Sequence, residues 1–400
     1  MQQINRYGSY SIKVDALNKY YGKENLLPLW VADMDFETPA CVRNALQEII
    51  DKKVYGYNFI PDNYFSTISS WLLAQQEWRV EQKWLSFIPG IVKGIGYAVN
   101  FFTKEGDGII VQPPVYPPFI NVPKGNNRRI IFNPLIKEEC GYRMDFDNLE
   151  QILLSGESKM LILCNPHNPG GVAWDRETLV KLAQLCYKYN TLVVSDEIHA
   201  DMPLYGGKHL PFALVSKEAN NISITFGAPS KTFNMAGIVS SYAIVPNEKL
   251  REPFYNWMQV NELNSPTIFA TLSTIAAYTN GLPWRNEMLE YIGENVNFVE
   301  QFCKENFGKL IIPMRPKSSF LVWLDCTELC KKLAVKYDNK DITDEEKQKL
   351  LVDLFINRAG LALNDGAAFG PGGLGFMRLN VGCGREVLVQ ALNNLKNSII

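Results

Sequence analysis

Histidine is scarce in this sequence: His167, His199 and His209 are the only three in 400 residues. No two of them stand at the spacing of a zinc-ligand pair, so no protein-held metal is expected. None of the eight cysteines forms a CxxC pair. Cys41, Cys140, Cys164, Cys186, Cys303, Cys326, Cys330 and Cys383 are scattered, several in apolar runs such as Leu161-Ile162-Leu163-Cys164, which points to buried free thiols rather than disulfides. Neither sign of charge is in excess. Forty Lys+Arg face 42 Asp+Glu, a net charge of -2, which excludes a global basic field for nucleic acid or an anionic membrane. No apolar run approaches the ~18 residues of a membrane span. Residues 1–10 lack the apolar core of a secretory signal. Repeats and low-complexity blocks are absent. A soluble, cytoplasmic chain without nucleic-acid or membrane partners is expected.

What is present is an ordinary globular balance, 46% hydrophobic and 20% charged residues. At ~150 residues per domain the chain has room for two or three. Residues 84–245 alternate short β-rich runs with helical patterns, the signature of an α/β domain on a mostly parallel sheet. Strands are predicted at 108–112, 160–164, 192–195, 222–226 and 242–245, short and continuously apolar as buried parallel strands should be. Between two of them, Leu179, Leu182, Ala183 and Cys186 fall at i, i+3, i+4 and i+7 and predict a helix over 176–190. The texture changes after about residue 281. A long amphipathic pattern at 288–307 leads to strands at 320–324 and 376–381, with a charged helix or loop at 331–349 between them and a final helix. Three units are expected: residues 1–45 packing with the small domain, 46–280 as the large domain and 281–400 as a smaller α+β domain.

Three consecutive predicted strands end in polar groups, at the sheet edge where open α/β sheets bind ligands. The first runs into Asn165-Pro166-His167-Asn168-Pro169-Gly170-Gly171, the second ends at Asp196-Glu197, and the third leads through Gly227-Ala228-Pro229-Ser230 to Lys231. Singly, each has a plain reading as a turn, a helix cap and a surface lysine. Together they match pyridoxal phosphate chemistry. There a lysine holds the aldehyde, a carboxylate keeps the pyridine nitrogen protonated, and an amide reaches the ring oxygen. Lys231, Asp196 and Asn168 fit those roles. A phosphate also needs backbone N–H groups at a helix N-terminus, and Pro89-Gly90-Ile91-Val92 precedes a helical pattern at 93–102. Ser230 adds a hydroxyl. Gly90, Gly94 and Gly96 do not spell GxGxxG, which disfavours a dinucleotide site and an NAD oxidoreductase.

At these residues the chain resembles the class I/II aminotransferase superfamily of fold type I, and within it the cystathionine β-lyase/cystalysin-type C–S lyases. The motifs are Asn-Pro-His-Asn-Pro-Gly-Gly, Ser-Asp-Glu-Ile-His and Ala-Pro-Ser-Lys-Thr-Phe-Asn-Met-Ala-Gly, with Leu27-Pro28-Leu29-Trp30-Val31-Ala32-Asp33-Met34-Asp35-Phe36 near one end and Phe376-Met377-Arg378-Leu379-Asn380-Val381 near the other. The resemblance implies the fold of the PLP-dependent transferases. It places Tyr116 on the cofactor ring, counts Gly90, Ile91, Val92 and His199 among the cofactor contacts, and gives Arg378 the substrate α-carboxylate with Asn168 beside it. It brings Tyr57 to the cofactor and substrate of a neighbouring subunit, so a homodimer with a shared site is implied. Some features depart from the superfamily pattern. No arginine occurs at 232–237, Gly227 and Ala228 stand where relatives often carry hydroxyls, and Lys93 is an added cation. The implied reaction is β-elimination from cystathionine or an S-substituted L-cysteine, with Lys231, Tyr116 and Asp196 as catalytic residues. An aminotransferase would use the same residues, and a regulatory protein could keep the fold without turnover.

Overall fold

Seven strands form the central sheet: β1 (Leu85–Ile88), β2 (Gly108–Val111), β3 (Arg129–Phe132), β4 (Ser158–Cys164), β5 (Leu192–Asp196), β6 (Ser223–Gly227) and β7 (Ser241–Ile244). Their order is β1-β7-β6-β5-β4-β2-β3 in this computed structural model, which describes residues 1–139, 141–336 and 342–399. Cys140 and residues 337–341 of the predicted charged segment lie outside these. Strands β2 to β6 pair in parallel. The run predicted at 242–245 is β7, which pairs antiparallel with both β6 and β1. Helices cover both faces, which is why the inner strands read as unbroken apolar runs.

The helices that position the site are α1 (Ala40–Ile50), α2 (Asn63–Gln76), α3 (Ile91–Phe102), α4 (Arg176–Lys188), α5 (Ile268–Asn280), α6 (Leu282–Asn306) and α7 (Arg385–Ile399). Asp175 caps α4 by accepting from the Thr178 amide at 2.8 Å, and Leu179, Leu182, Ala183 and Cys186 are its buried face, as their spacing predicts. Val42 of α1 shares a buried cluster with Tyr64, Ile68 and Trp71 of α2 and Ala270 and Ala277 of α5. The unit boundary expected at residue 45 therefore cuts through α1, whose apolar face belongs with α2 and α5.

A second, antiparallel sheet contains β8 (Ile312–Met314), β9 (Leu321–Asp325), β10 (Asn364–Asp365) and β11 (Phe376–Asn380) in the order β8-β9-β11-β10. Met288, Ile292, Val296 and Val299 of α6 and Leu388 and Leu392 of α7 cover one face of it in a shared core with Val322 and Leu324. The charged stretch holds helices Thr327–Lys336 and Asp344–Asp353, the latter started by a capping box between Thr343 and Glu346. Among the described residues no helix is long and apolar enough to cross a membrane. The seven described cysteines are all free.

Trp323 of β9 ties the two sheets together. It stacks on Phe376 with ring centroids 5.0 Å apart, donates from Nε1 to the Tyr142 hydroxyl at 3.0 Å, and shares a buried cluster with Leu161 and Leu163 of β4. Truncating a buried tryptophan costs about 3–5 kcal/mol. Trp323→Ala should lower the denaturant midpoint by a corresponding amount, and equilibrium unfolding followed by tryptophan-independent far-UV circular dichroism measures it.

Candidate active site

Because β4, β5 and β6 are adjacent and parallel, the polar groups beyond their carboxyl ends converge. Asp196 is the last residue of β5, Asn168 lies in the turn after β4, and Lys231 follows β6 by four residues. These three, with Tyr116, His199 and Ser230, line a cavity of about 180 Å³ that also meets Gly90, Ile91 and Val92 at the head of α3. Nine of the residues selected from sequence thus share one cavity. Arg378 of β11 adjoins it through Asn168. Tyr57 is the exception: its side chain is fully exposed and does not line the cavity within its own chain.

Burial sets the charge states. Asp196 is buried, its Oδ1 accepting from the Ile198 amide at 3.0 Å, and desolvation with neighbouring Glu197 pushes its carboxyl up to about 7. Desolvation also pulls the Lys231 amine down to about 8, with Asp33 and Asp196 opposing that fall and Arg378 adding to it. His199 is buried and, with Lys231 and Arg378 nearby, drops to about 3, which makes it a neutral imidazole at pH 7. Burial raises the Tyr116 phenol above its ordinary value.

Arg378 is buried and desolvation draws it down to about 10. It donates to Asn168 Oδ1 at 3.1 Å, Asn364 Oδ1 at 2.6 Å and the Trp30 carbonyl at 3.1 Å. All three acceptors are neutral. Its Nε and the Nδ1 of His199 are buried without a partner among the described residues. A buried arginine fork without an anion suits a bidentate carboxylate.

The other end of the cavity suits a phosphate. Gly90 is the N-cap of α3 at φ 104°, a conformation in which a side chain is strained, and the first-turn amides of the helix point outward unsatisfied by helix geometry. Val239, in the left-handed region at φ 58°, packs its Cγ1 3.8 Å from where a Gly90 Cβ would stand. Gly227 has a steric cause: an added Cβ would lie 2.6–2.8 Å from ring atoms of Tyr242. A buried carboxyl raised toward neutrality, an amine beside it, unpartnered buried nitrogens and a helix-terminus cradle are together a good fit to pyridoxal phosphate.

Several contributors were not singled out from sequence. Ala32, Cys164, Ile198, Ala236, Val239, Ser240 and Ser241 also line the cavity. Ala32 belongs to the 30–36 segment, whose carbonyls are gathered by the site: Lys231 Nζ donates to Ala32, Asn234 to Met34 and Phe36, and Asn380 to Val31 and Asp33. Asn234 stands three residues after Lys231 and Asn380 two after Arg378, so both lay in recognised motifs. Only the structure shows what they hold.

The family model "Aminotransferase class I and II" matches residues 24–395. Cystathionine beta-lyase PatB of Bacillus subtilis (strain 168) is 39% identical over 98% of this chain and 98% of its own. A solved pyridoxal-phosphate-bound protein of Clostridium difficile 630, described as a proposed aminotransferase, is 37% identical with a TM-score of 0.92, covering 100% of this chain and 99% of that one. The pyridoxal-phosphate-bound C–S lyase of Staphylococcus hominis is 29% identical with a TM-score of 0.89, covering 100% and 97%.

The Asp196 carboxyl carries a testable cost. Its folded-state value is raised, so the penalty is absent below about pH 4, where the group is protonated folded or unfolded, and is complete once the pH passes about 7. It amounts to at most about 4 kcal/mol. In protein freed of cofactor, Asp196→Asn should raise Tm by several degrees at pH 8 and leave it unchanged at pH 4. Scanning calorimetry at both values decides; an equal gain at both would remove the carboxyl as the source.

Proposed function

Since the chain belongs to the class I and II aminotransferase family, we propose that it is a pyridoxal-phosphate-dependent carbon–sulfur β-lyase acting on cystathionine or an S-substituted L-cysteine. The observation that carries this reading is the meeting of Lys231, Asp196 and the Asn168–Arg378 pair at one cavity, in a chain whose similar proteins include cystathionine beta-lyase PatB and a C–S lyase.

Bound there, pyridoxal phosphate supplies an electron sink conjugated to the substrate Cα, which no side chain offers. Lys231 would anchor the cofactor aldehyde, Asp196 would meet the pyridine nitrogen, Asn168 would serve the ring oxygen, and Tyr116 would pack on the ring. The amides of Gly90, Ile91 and Val92 with the Ser230 hydroxyl hold the phosphate, and His199 supports the cofactor side of the cavity. Arg378 takes the substrate α-carboxylate, pre-aimed by Asn168, Asn364 and the Trp30 carbonyl. Lys231, with a value near 8, is partly neutral at physiological pH and removes the Cα proton. The Cβ–S bond then breaks, and sulfur leaves with the bonding pair as a thiolate, a competent leaving group at a thiol value of ~8.5. The three-carbon enamine left behind hydrolyses to pyruvate and ammonia.

Assembly follows from the surface. Between α1 and α2 the segment from Ile50 to Phe59 exposes Ile50, Val54, Tyr55, Tyr57 and Phe59, a run of large apolar groups uncommon on a monomer. We place a second copy of the chain on this strip, with Tyr57 completing the partner's site. The free thiols suit a reducing, cytoplasmic setting.

Two outcomes test these readings. An S-alkyl-L-cysteine should yield pyruvate, ammonia and free thiol over many turnovers without added keto acid, and Lys231→Ala should lose at least ~10³-fold in kcat while staying folded. Sulfur retained in the organic product, with turnover stopping until a keto acid is added, would make the enzyme an aminotransferase. For assembly, light scattering should give a dimer, and Phe59→Glu should yield a monomer of much reduced activity; a fully active monomer overturns the shared site.

A further inference from the structure

Four charged side chains meet beside the 30–36 segment. Arg6 donates to Asp33 Oδ1 at 2.8 Å and Oδ2 at 2.7 Å, and to Asp35 Oδ1 at 3.0 Å. Lys13, wholly buried, donates to Asp35 Oδ2 at 2.9 Å and to the Asp33 carbonyl at 3.3 Å. Two cations thus balance two anions. The segment they clamp is the one whose Ala32 carbonyl accepts from Lys231 Nζ, with Asp33 the next residue. Burying Lys13 and Asp35 and half-burying Arg6 and Asp33 to fix a loop is a costly way to do what apolar packing does more cheaply. Their position next to the lysine gives them a second use.

We propose that Asp33, held by Arg6, is a positioning residue for Lys231 that sets the charge of its nitrogen through the strap whose Ala32 carbonyl orients it. This rests on reading Lys231 as the cofactor-binding lysine. The groups around Lys231 are Asp33 from the strap, Asp196 from β5 and Arg378 from β11, with neutral His199 and Tyr116 lining the same cavity. In the loaded enzyme Asp196 would be committed to the pyridine nitrogen, while Arg378 and the charges the cofactor brings stay the same in every variant compared. Asp33 is the remaining side-chain anion beside the lysine nitrogen. It opposes the fall that burial imposes and is the largest charge effect there. Because the cluster sums to zero, removing one member leaves a net charge of chosen sign beside Lys231.

The experiment uses the cofactor-saturated enzyme and follows, against pH, the visible absorbance of the Lys231-bound cofactor. Asp33→Asn leaves the cluster net positive and should lower the titration midpoint by roughly one pH unit, a tenfold change in proton affinity. Arg6→Gln leaves it net negative and should raise the midpoint comparably, while Arg6→Lys keeps the charge and should not move it. Arg6 and Asp33 are partly exposed, with side chains 17% and 20% accessible, so water tempers the uncompensated charge. A merely structural disturbance would move both charge variants the same way. Should Asp33→Asn fail to hold cofactor, the Arg6→Gln and Arg6→Lys pair decides alone. Midpoints that stay put or shift in one common direction overturn the inference and leave the lyase reading intact. A visible band that survives and titrates in Lys231→Ala overturns the reading beneath it.

Discussion

The short segment from Leu29 to Phe36 is the constraint on which the site depends, because it is bonded to both sheets at once. Its backbone pairs with the second sheet where the Asn380 amide donates to the Leu29 carbonyl at 3.0 Å and Asp35 donates to Gly382 at 2.8 Å. From the central sheet, Asn234 donates to Met34 and Phe36 at 2.9 and 2.7 Å and accepts from the Met34 amide at 3.0 Å. Each bond is worth about 1 kcal/mol net, but a buried carbonyl left unpaired costs more than that. The segment therefore has few alternatives to the path it takes. Lys231 and Arg378 both donate to it, so the separation of these two cations is fixed through one short piece of chain.

The site itself is a set of ionisable groups held away from their ordinary values. Asp196 rises, while Lys231, Arg378 and His199 fall, and in each the first cause is loss of water. In an empty cavity these shifts are a burden on stability. On the proposed reading they become useful, because the ligand brings a cationic ring nitrogen to Asp196, an aldehyde to Lys231 and a carboxylate to Arg378. Rigid scaffolding is needed to sustain such a state, and Trp323 with its aromatic neighbours supplies it between the sheets. Stability is concentrated in that aromatic joint and spent at the cavity.

Much of this was legible in the sequence for a physical reason. Buried parallel strands must be apolar along their length, so the polar residue that ends each one stands out, and adjacency of β4, β5 and β6 follows from short crossovers. That logic found Asn168, Asp196 and Lys231. It did not separate β7 from its parallel neighbours, because an inner antiparallel strand is as apolar as a parallel one. Strands β1 and β3 were missed: Ser86 interrupts the apolar run of β1, and β3 opens on Arg129 and is partly exposed. Residue 45 falls inside α1, which carries no sequence mark of which core it joins. The roles of Asn234 and Asn380 are long-range bonds to backbone carbonyls, and a carbonyl has no sequence signature.

Gly227 and Val239 show why the phosphate end takes its form. The Tyr242 ring occupies the space a side chain at 227 would need, and its hydroxyl bonds to Tyr278 at 3.0 Å, so the position must stay glycine. Val239, held at a positive φ that a β-branched residue seldom adopts, puts an apolar group on the cavity wall beside Gly90. Anchoring of an anion there falls to the helix amides and hydroxyl groups, which donate hydrogen bonds without adding full positive charge. On the proposed reading, the neutral donors at the head of α3 and the buried amine of Lys231 serve one ligand, because both line the same cavity.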